Sequence, residues 1–414
     1  MIFEVIRTNC RICEIPTKKI KDLGNFYSCG IFPDFISTSV DTGNLQLNFC
    51  PECELVQLSC DFNSESLFTH DYGYKSSLNE SMVDHLSQIA LTCVNHLKSN
   101  TETPKYLDIG SNDGTLLNLV SDKFVKVSSK RLATFGIDPT AGKFKPNYGS
   151  SNIIESLFDY DLAKNLDFKF DVITSIAMLY DLPNPLNFFS GIKQVLGPDG
   201  IWVSEQSYLF SMIENNAFDT ICHEHIEYYT VNNVNNLCAK VGLEIFDVDF
   251  NDVNGGSFRF YAQHVGGPNK ISAELLKVLI HEKSRDIELD LFEMFERVEE
   301  IKYSVNVLLQ SLTNQGKPVY GYGASTKGNT LLQYFEISTS VMPFIAERNE
   351  NKYKKYTPGS LIPIISEIEA KARQPYAFFV LPWHFKEGIL LRELQFRQRS
   401  GTKFIFPLPN LVIA

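Results

Sequence analysis

The run Ile221-Cys222-His223-Glu224-His225-Ile226-Glu227-Tyr228-Tyr229 places two imidazoles, two carboxylates and two phenols within nine residues. That density suits neither a core strand nor an ordinary loop. His223 and His225 stand at i and i+2, so on a strand they could share one metal ion. The arrangement is not the helical H-E-x-x-H pattern, in which both ligands project from one helical face. The other use of such residues is proton transfer. A histidine titrating near neutrality, held by an adjacent carboxylate, can remove a proton beside a carbonyl. Proton abstraction is the favoured reading, because the methyl donor inferred below needs a nucleophile and no metal.

The donor is read from Tyr106-Leu107-Asp108-Ile109-Gly110-Ser111-Asn112-Asp113-Gly114-Thr115-Leu116-Leu117-Asn118. A short apolar run with strand period ends at Gly110, and a helical pattern begins after Gly114. Such a turn brings bare backbone to a ligand at a helix N-terminus. Ser111 and Asn112 stand where the dinucleotide fingerprint needs room for a pyrophosphate. An acid inside the strand, followed by a polar turn, suits a ligand with a positive amino-acid end, namely S-adenosylmethionine. Ala133-Thr134-Phe135-Gly136-Ile137-Asp138-Pro139 reads as the next strand, with Asp138 placed for ribose hydroxyls. Strands at 170–175 and 201–205 complete the pattern.

A second turn of this kind follows the strand Pro318-Val319-Tyr320-Gly321-Tyr322-Gly323. Ser325, Thr326 and Lys327 at a helix N-terminus offer hydroxyls, N–H groups and a cation, a cradle for a diphosphate. It is not a P-loop, since Lys327 precedes the last glycine and no Ser or Thr directly follows it. The polar corner Asn254-Gly255-Gly256-Ser257, with Arg259, could serve the same anion.

Cys10-Arg11-Ile12-Cys13 and Cys50-Pro51-Glu52-Cys53 are two C-x-x-C knuckles. Two thiolates at that spacing chelate one ion from a single turn, and two such turns complete a tetrahedral four-thiolate zinc site. A closed shell leaves no position for water, so the expected zinc is structural.

These groups need elements to position them. A chain of 414 residues with 44% hydrophobic content can bury several cores. The expected fold class is α/β in three domains: a small four-cysteine zinc module over 1–70, a class I methyltransferase Rossmann-like domain with a long helical connector over 71–310, and a C-terminal Rossmann-like α/β domain over 311–414. The first is expected to be loop-rich. A net charge of -11 argues against nucleic-acid or anionic-membrane surfaces. Nine cysteines and an N-terminus without an apolar leader core point to reduced thiols or metal ligands and a cytoplasmic protein.

The ordered blocks resemble the sugar C-methyltransferases that act on nucleotide-linked 4-keto-deoxysugars, of which tetronitrose C-3-methyltransferase is a known type. The resemblance takes in the four cysteines, Tyr72-Gly73-Tyr74-Lys75-Ser76-Ser77, the 108–114 turn, and His223-Glu224-His225 with Tyr228-Tyr229. It continues through Gly255-Gly256-Ser257-Phe258-Arg259, the run from Tyr322 to Asn329, Tyr356-Thr357-Pro358-Gly359 and Leu381-Pro382-Trp383. It implies a sugar nucleotide clasped between the methyltransferase and C-terminal domains. His225 is then the base that removes the C3 proton, with Glu224 beside it and Tyr74 hydrogen-bonding the sugar. Expected donor-site residues are Tyr74, Ser77, Asp108, Gly110 and Ser111, then Asn112, Asp138, Pro139, Ser175 and Ala177. Expected substrate contacts are Asp181, Glu205, Cys222, His223 and Tyr228; Asn254, Gly256, Ser257 and Arg259; and Tyr322, Ser325, Lys327, Asn329 and Trp383. Two positions depart from the family pattern. Cys222 stands where a Tyr is usual, and Asp181 where a His often occurs, both near the expected sugar.

Two other classes fit the sequence less well. A zinc-ribbon RNA-binding or RNA-modifying protein would need a basic stripe, but Lys18, Lys19 and Lys21 are interleaved with Glu14, Asp22, Asp34 and Asp41. A dehydrogenase would need a complete glycine fingerprint, and Glu347 is its sole candidate ribose acid. The nucleotide, the sugar and the oligomeric state stay open, with a monomer compatible.

Overall fold

Two mostly parallel sheets dominate the described residues, as strand–turn–helix repeats require when each helix must cross over to return the chain. The computed structural model describes residues 5–62, 75–97 and 102–414. In the first sheet the strands run in the order Leu243–Asn251, Ser257–His264, Leu196–Ser207, Phe170–Ile176, Lys105–Ile109, Ala133–Ile137 and Asn152–Ile154. The five from Leu196–Ser207 onward are mutually parallel, and Ser257–His264 is antiparallel to both its neighbours. Strand order reverses between Lys105–Ile109 and Phe170–Ile176, the position where open α/β sheets bind ligands. The helix Thr115–Val127 buries Leu116, Leu117, Val120 and Phe124, an apolar face at helical spacing.

The second sheet runs Ile364–Ser366, Ile345–Glu347, Val319–Tyr322, Ala377–Val380, Lys403–Phe406 and Val412–Ile413. Only its last pair is antiparallel. Its switch point lies between Val319–Tyr322 and Ala377–Val380. The helical stretch between the sheets resolves into Ala273–Lys283, capped by Ser272, and the 28-residue Ile287–Asn314, capped by Asp286. Among the described residues, no helix is long and apolar enough to cross a membrane.

The N-terminal region holds more strand than its sequence pattern announces. Lys18–Tyr27, Thr42–Phe49 and Val56–Leu58 form an antiparallel sheet. Leu45, Leu47 and Phe49 alternate inward along the second strand. Register irregularities in the first strand break its apolar period, which is why the region reads as loop. The fourth strand of this sheet is Glu227–Tyr228, which follows the histidine-rich run. One apolar core joins Leu23, Phe26 and Leu47 to Leu291, Val298 and Val305 of the long helix and to Val319 and Ile345 of the second sheet.

Candidate active site

Lys105–Ile109 ends at Gly110, whose φ of +71° lies in the left-handed region, where only glycine is unstrained. Asp108 is buried, and its Oδ1 accepts a hydrogen bond from Thr174 Oγ1 at 2.6 Å. Burial lifts its carboxyl to about 7, against that hydrogen bond and with help from Asp138. A cation arriving beside it would restore its charge. Asp138 accepts from Asn112 N at 2.9 Å and from Thr140 N and Oγ1 at 2.6 Å each. Ser76 N and Ser77 N donate to Asn112 Oδ1 and Asp113 Oδ2 at 3.1 Å. Ala177, left-handed at φ +55°, turns the chain at the end of Phe170–Ile176 and donates its N–H to Glu205 O at 2.7 Å.

The histidine-rich run is pinned from both sides. Ile226 N donates to Tyr180 O and Leu58 N to Ile226 O, both at 2.8 Å. Arg11, on the first cysteine knuckle, is buried and donates to Leu58 O at 2.9 Å and Ile226 O at 3.3 Å. The Tyr228 hydroxyl donates to His225 O at 2.9 Å. His225 Nδ1 lies 2.9 Å from Thr220 O. A carbonyl only accepts, so Nδ1 carries the proton and Nε2 of the neutral ring keeps its lone pair. Burial and the positive charge of Lys327 hold the imidazole down at about 4, the Thr220 bond opposing them. Glu224 Oε2 is sealed from solvent without a hydrogen-bond partner among the described residues. Gly30 comes so close that a Cβ there would lie 2.5 Å from Glu224 Oε1.

At the second switch point, Gly323 has φ +81°, and a Cβ there would meet Pro382 at 2.8 Å. The Ser325 hydroxyl caps the helix Thr326–Tyr334 by accepting from Gly328 N at 3.0 Å. Lys327 Nζ donates to Asn254 O at 2.8 Å. Burial lowers its pKa, with Asp219 and Cys222 opposing. Glu347 is taken up by backbone donors, accepting from Ala324 N of the second glycine turn and from Arg348 N and Asn349 N of its own loop at 2.7, 2.7 and 2.8 Å.

A single cleft of about 1960 Å³ runs between the two switch points. That exceeds the roughly 300–1,000 Å³ of a typical small-molecule pocket and has room for two ligands. Asp108, Gly110, Ser111, Asn112, Asp138, Pro139 and Ala177 line one end. Asp181, Glu205, Cys222, Glu224 and His225 also face the cleft, as do Asn254, Ser257, Tyr322, Ser325 and Lys327.

The other candidates lie outside the lining. His223 is fully buried, its ring edge-on to Phe62 at 4.8 Å. Arg259 and His85 bind the Glu205 carboxylate, at 2.8 Å from Arg259 Nη2 and 2.5 Å from His85 Nε2. Although burial pushes Glu205 up, these partners hold it below its usual range. Ser175 Oγ donates to Ser204 Oγ at 2.9 Å, and Gly256 packs against Ser211. Asn329 Nδ2 donates to Cys29 O at 2.7 Å and Trp383 Nε1 to Asp219 Oδ2 at 2.8 Å, so both act as struts behind the cleft. Tyr228 supports the base segment from below, and Ser77 meets the donor turn through its backbone. Tyr74 lies outside the described residues.

The cleft also presents residues not singled out from sequence. Both polar atoms of the buried Gln206 amide lack partners among the described residues. Its position at the C-terminal end of a central strand is a signal that could have found it. His384, next to the Leu381-Pro382-Trp383 block, lines the cleft, and burial and Lys327 hold its ring near 3. Gly30 carried no local signal.

The sulfurs of Cys10, Cys13, Cys50 and Cys53 all lie within 4.8 Å of one another, with Cys10–Cys53 and Cys13–Cys50 at 3.4 and 3.3 Å. Four sulfurs each about 2.3 Å from one zinc stand about 3.8 Å apart, so the donor set fits that ion.

Residues 76–248 match the family described as a methyltransferase domain, and residues 252–409 match the C-methyltransferase C-terminal domain. The chain is similar to the C-methyltransferase NovU of Streptomyces niveus, at 27% identity over 97% of this chain and 95% of the relative. Solved structures align over less of it. A chain of the Haloferax volcanii complex between the Trm112 activator and a methyltransferase covers 45% of this chain and 92% of its own, at 14% identity and TM-score 0.36. Magnesium protoporphyrin IX methyltransferase of Synechocystis covers 46% of this chain and 86% of its own, at 14% identity and TM-score 0.33. The two domain matches follow one another along the chain, and the relative that aligns across both carries the name of a C-methyltransferase.

Proposed function

We propose that the protein methylates a nucleoside-diphosphate-linked 4-keto-6-deoxysugar at C3, with S-adenosylmethionine as donor and His225 as base. The observation that carries this reading is the neutral His225 ring, held by Thr220 through Nδ1, in a cleft that joins the acidic donor turn to the Lys327 cradle. Bound at that turn, adenosylmethionine supplies an electrophilic methyl carbon. Asp108 would favour its positive amino-acid end, and Asp138 would accept from its ribose hydroxyls. Lys327 and the capped helix N-terminus favour the diphosphate, which sets the sugar between them and the donor.

The keto group acidifies the neighbouring C–H. His225 Nε2 takes that proton, and the electron pair left behind forms an enolate. The enolate carbon then displaces the sulfonium sulfur from the methyl group, releasing S-adenosylhomocysteine as the keto group re-forms. Alignment within the cleft and hydrogen bonds to the enolate oxygen account for most of the acceleration. A zinc ion closed within the four thiolates serves structure alone. Incubating the protein and adenosylmethionine with a panel of 4-keto-6-deoxy sugar nucleotides, read by mass spectrometry, tests the reading. One product heavier by a methyl group is expected, and no methylated sugar nucleotide across the panel refutes it.

A further inference from the structure

Asp181 closes the short turn Leu179–Asp181, which touches the base segment twice. The Tyr180 ring packs edge-on to the His225 imidazole at 4.4 Å, and Tyr180 O accepts from Ile226 N at 2.8 Å. The Asp181 side chain therefore lies in the same part of the cleft as Cys222, Glu224 and His225. Its Oδ1 is sealed from solvent and has no hydrogen-bond partner among the described residues. The residue as a whole is half-buried, and it lines the cleft.

Among the described residues, the charged groups that act on Asp181 are Glu224 and Glu227, with the Tyr228 hydroxyl also close. None is a cation. Burial first, then those two carboxylates, hold its carboxyl well above the usual range. An ionised Asp181 would be a charge that no described cation offsets, beside the Glu224 and Glu227 side chains, with an Oδ1 that no described donor reaches. A neutral acid removes the conflict. The shut-in Oδ1 becomes the carbonyl oxygen, and the other oxygen carries a proton that requires an acceptor.

We propose that Asp181 is a neutral carboxylic acid whose O–H hydrogen-bonds the substrate's keto oxygen, stabilising the negative charge that grows there as His225 removes the adjacent proton. The assignment rests on the C-methylation reading. In the step, the C–H bond breaks and its proton goes to His225 Nε2. Its electron pair forms the C=C bond, and the carbonyl pair moves onto oxygen. Asp181 keeps its own proton throughout and lends only the hydrogen bond.

The test compares Asp181→Ala with Asp181→Asn on the sugar nucleotide that the wild-type protein methylates. The amide of Asn is neutral and keeps a donor, whereas Ala has none. Asp181→Ala should lower kcat by roughly a hundred- to thousandfold, the range for losing one oxyanion donor, with donor affinity unchanged. Asp181→Asn should stay within about tenfold of wild type. It should also lose the alkaline fall in rate that ionisation of Asp181 gives the wild type. An Asp181→Ala protein within about threefold of wild type overturns the assignment. So does a folded Asp181→Asn protein as inactive as Asp181→Ala, since that would show that a charged carboxylate is needed. Absence of any wild-type methylation is a different failure, which removes the functional reading and this assignment together.

Discussion

His225 is set apart from His223 by packing. Both imidazoles are visible in the sequence, two residues apart, but His223 lies against Phe62 while His225 faces the cleft with Nδ1 committed to Thr220 O. Local pattern cannot make that distinction, because it depends on a phenyl ring from a distant segment. The low pKa of His225 gives a sharp expectation. The ring stays neutral down to about 4, so with adenosylmethionine saturating, and Asp108 thereby held charged, kcat should remain flat through the ordinary imidazole range near 6.5 and fall only toward about 4. The stability sign is set by the same shift. Below 6.5 the unfolded chain binds a proton that the folded chain refuses, so this histidine makes the protein less stable as pH falls from 6.5 toward about 4. A pH–rate profile with an acid limb at 6.5 would assign the base elsewhere. His225→Asn should lower turnover by roughly a hundredfold or more while calorimetric affinity for adenosylmethionine stays near wild type.

The segment that carries the base runs directly into a strand joined to the cysteine module by main-chain pairing, Glu227 opposite Gln57 and Tyr228 opposite Val56. The knuckles were legible because their ligands are local in sequence. The pairing was not, because a two-residue strand carries no periodicity of its own. Arg11 extends the link, since its guanidinium joins the first knuckle to the carbonyls of Leu58 and Ile226. Stripping zinc with a chelator should therefore unfold or aggregate the module, because metal-binding energy in a closed thiolate shell is folding energy. It should also expose the Leu58 amide, which is bonded to Ile226 O. Metal analysis with amide hydrogen exchange reads both effects. Retained protection at Leu58 in metal-free protein, or full stability of a Cys10→Ser, Cys53→Ser double variant, would contradict this view.

Across the whole molecule, the two glycine turns lie at the switch points of separate sheets, and one cleft spans them. The strand–turn–helix order makes both turns readable in advance. The shared core that brings Leu23, Leu291 and Val319 together is not, because it is built from segments far apart in the chain. Lys327 is one of the cations lining that cleft and stands on the second glycine turn, and the diphosphate contact proposed for it is separable from donor binding. Lys327→Met should weaken sugar-nucleotide affinity by about tenfold or more, the worth of a charge-assisted hydrogen bond, and leave adenosylmethionine affinity unchanged. Equal loss for both ligands, measured by calorimetry, would place the cation outside the substrate site. The most direct test of the account is where the methyl group goes. Adenosylmethionine labelled in its methyl carbon, turned over with an accepted 4-keto sugar nucleotide, should give a product whose nuclear magnetic resonance spectrum shows the label bonded to C3, the carbon beside the keto group. A label on oxygen or nitrogen, or on a carbon not adjacent to the carbonyl, would contradict enolate-based C-methylation.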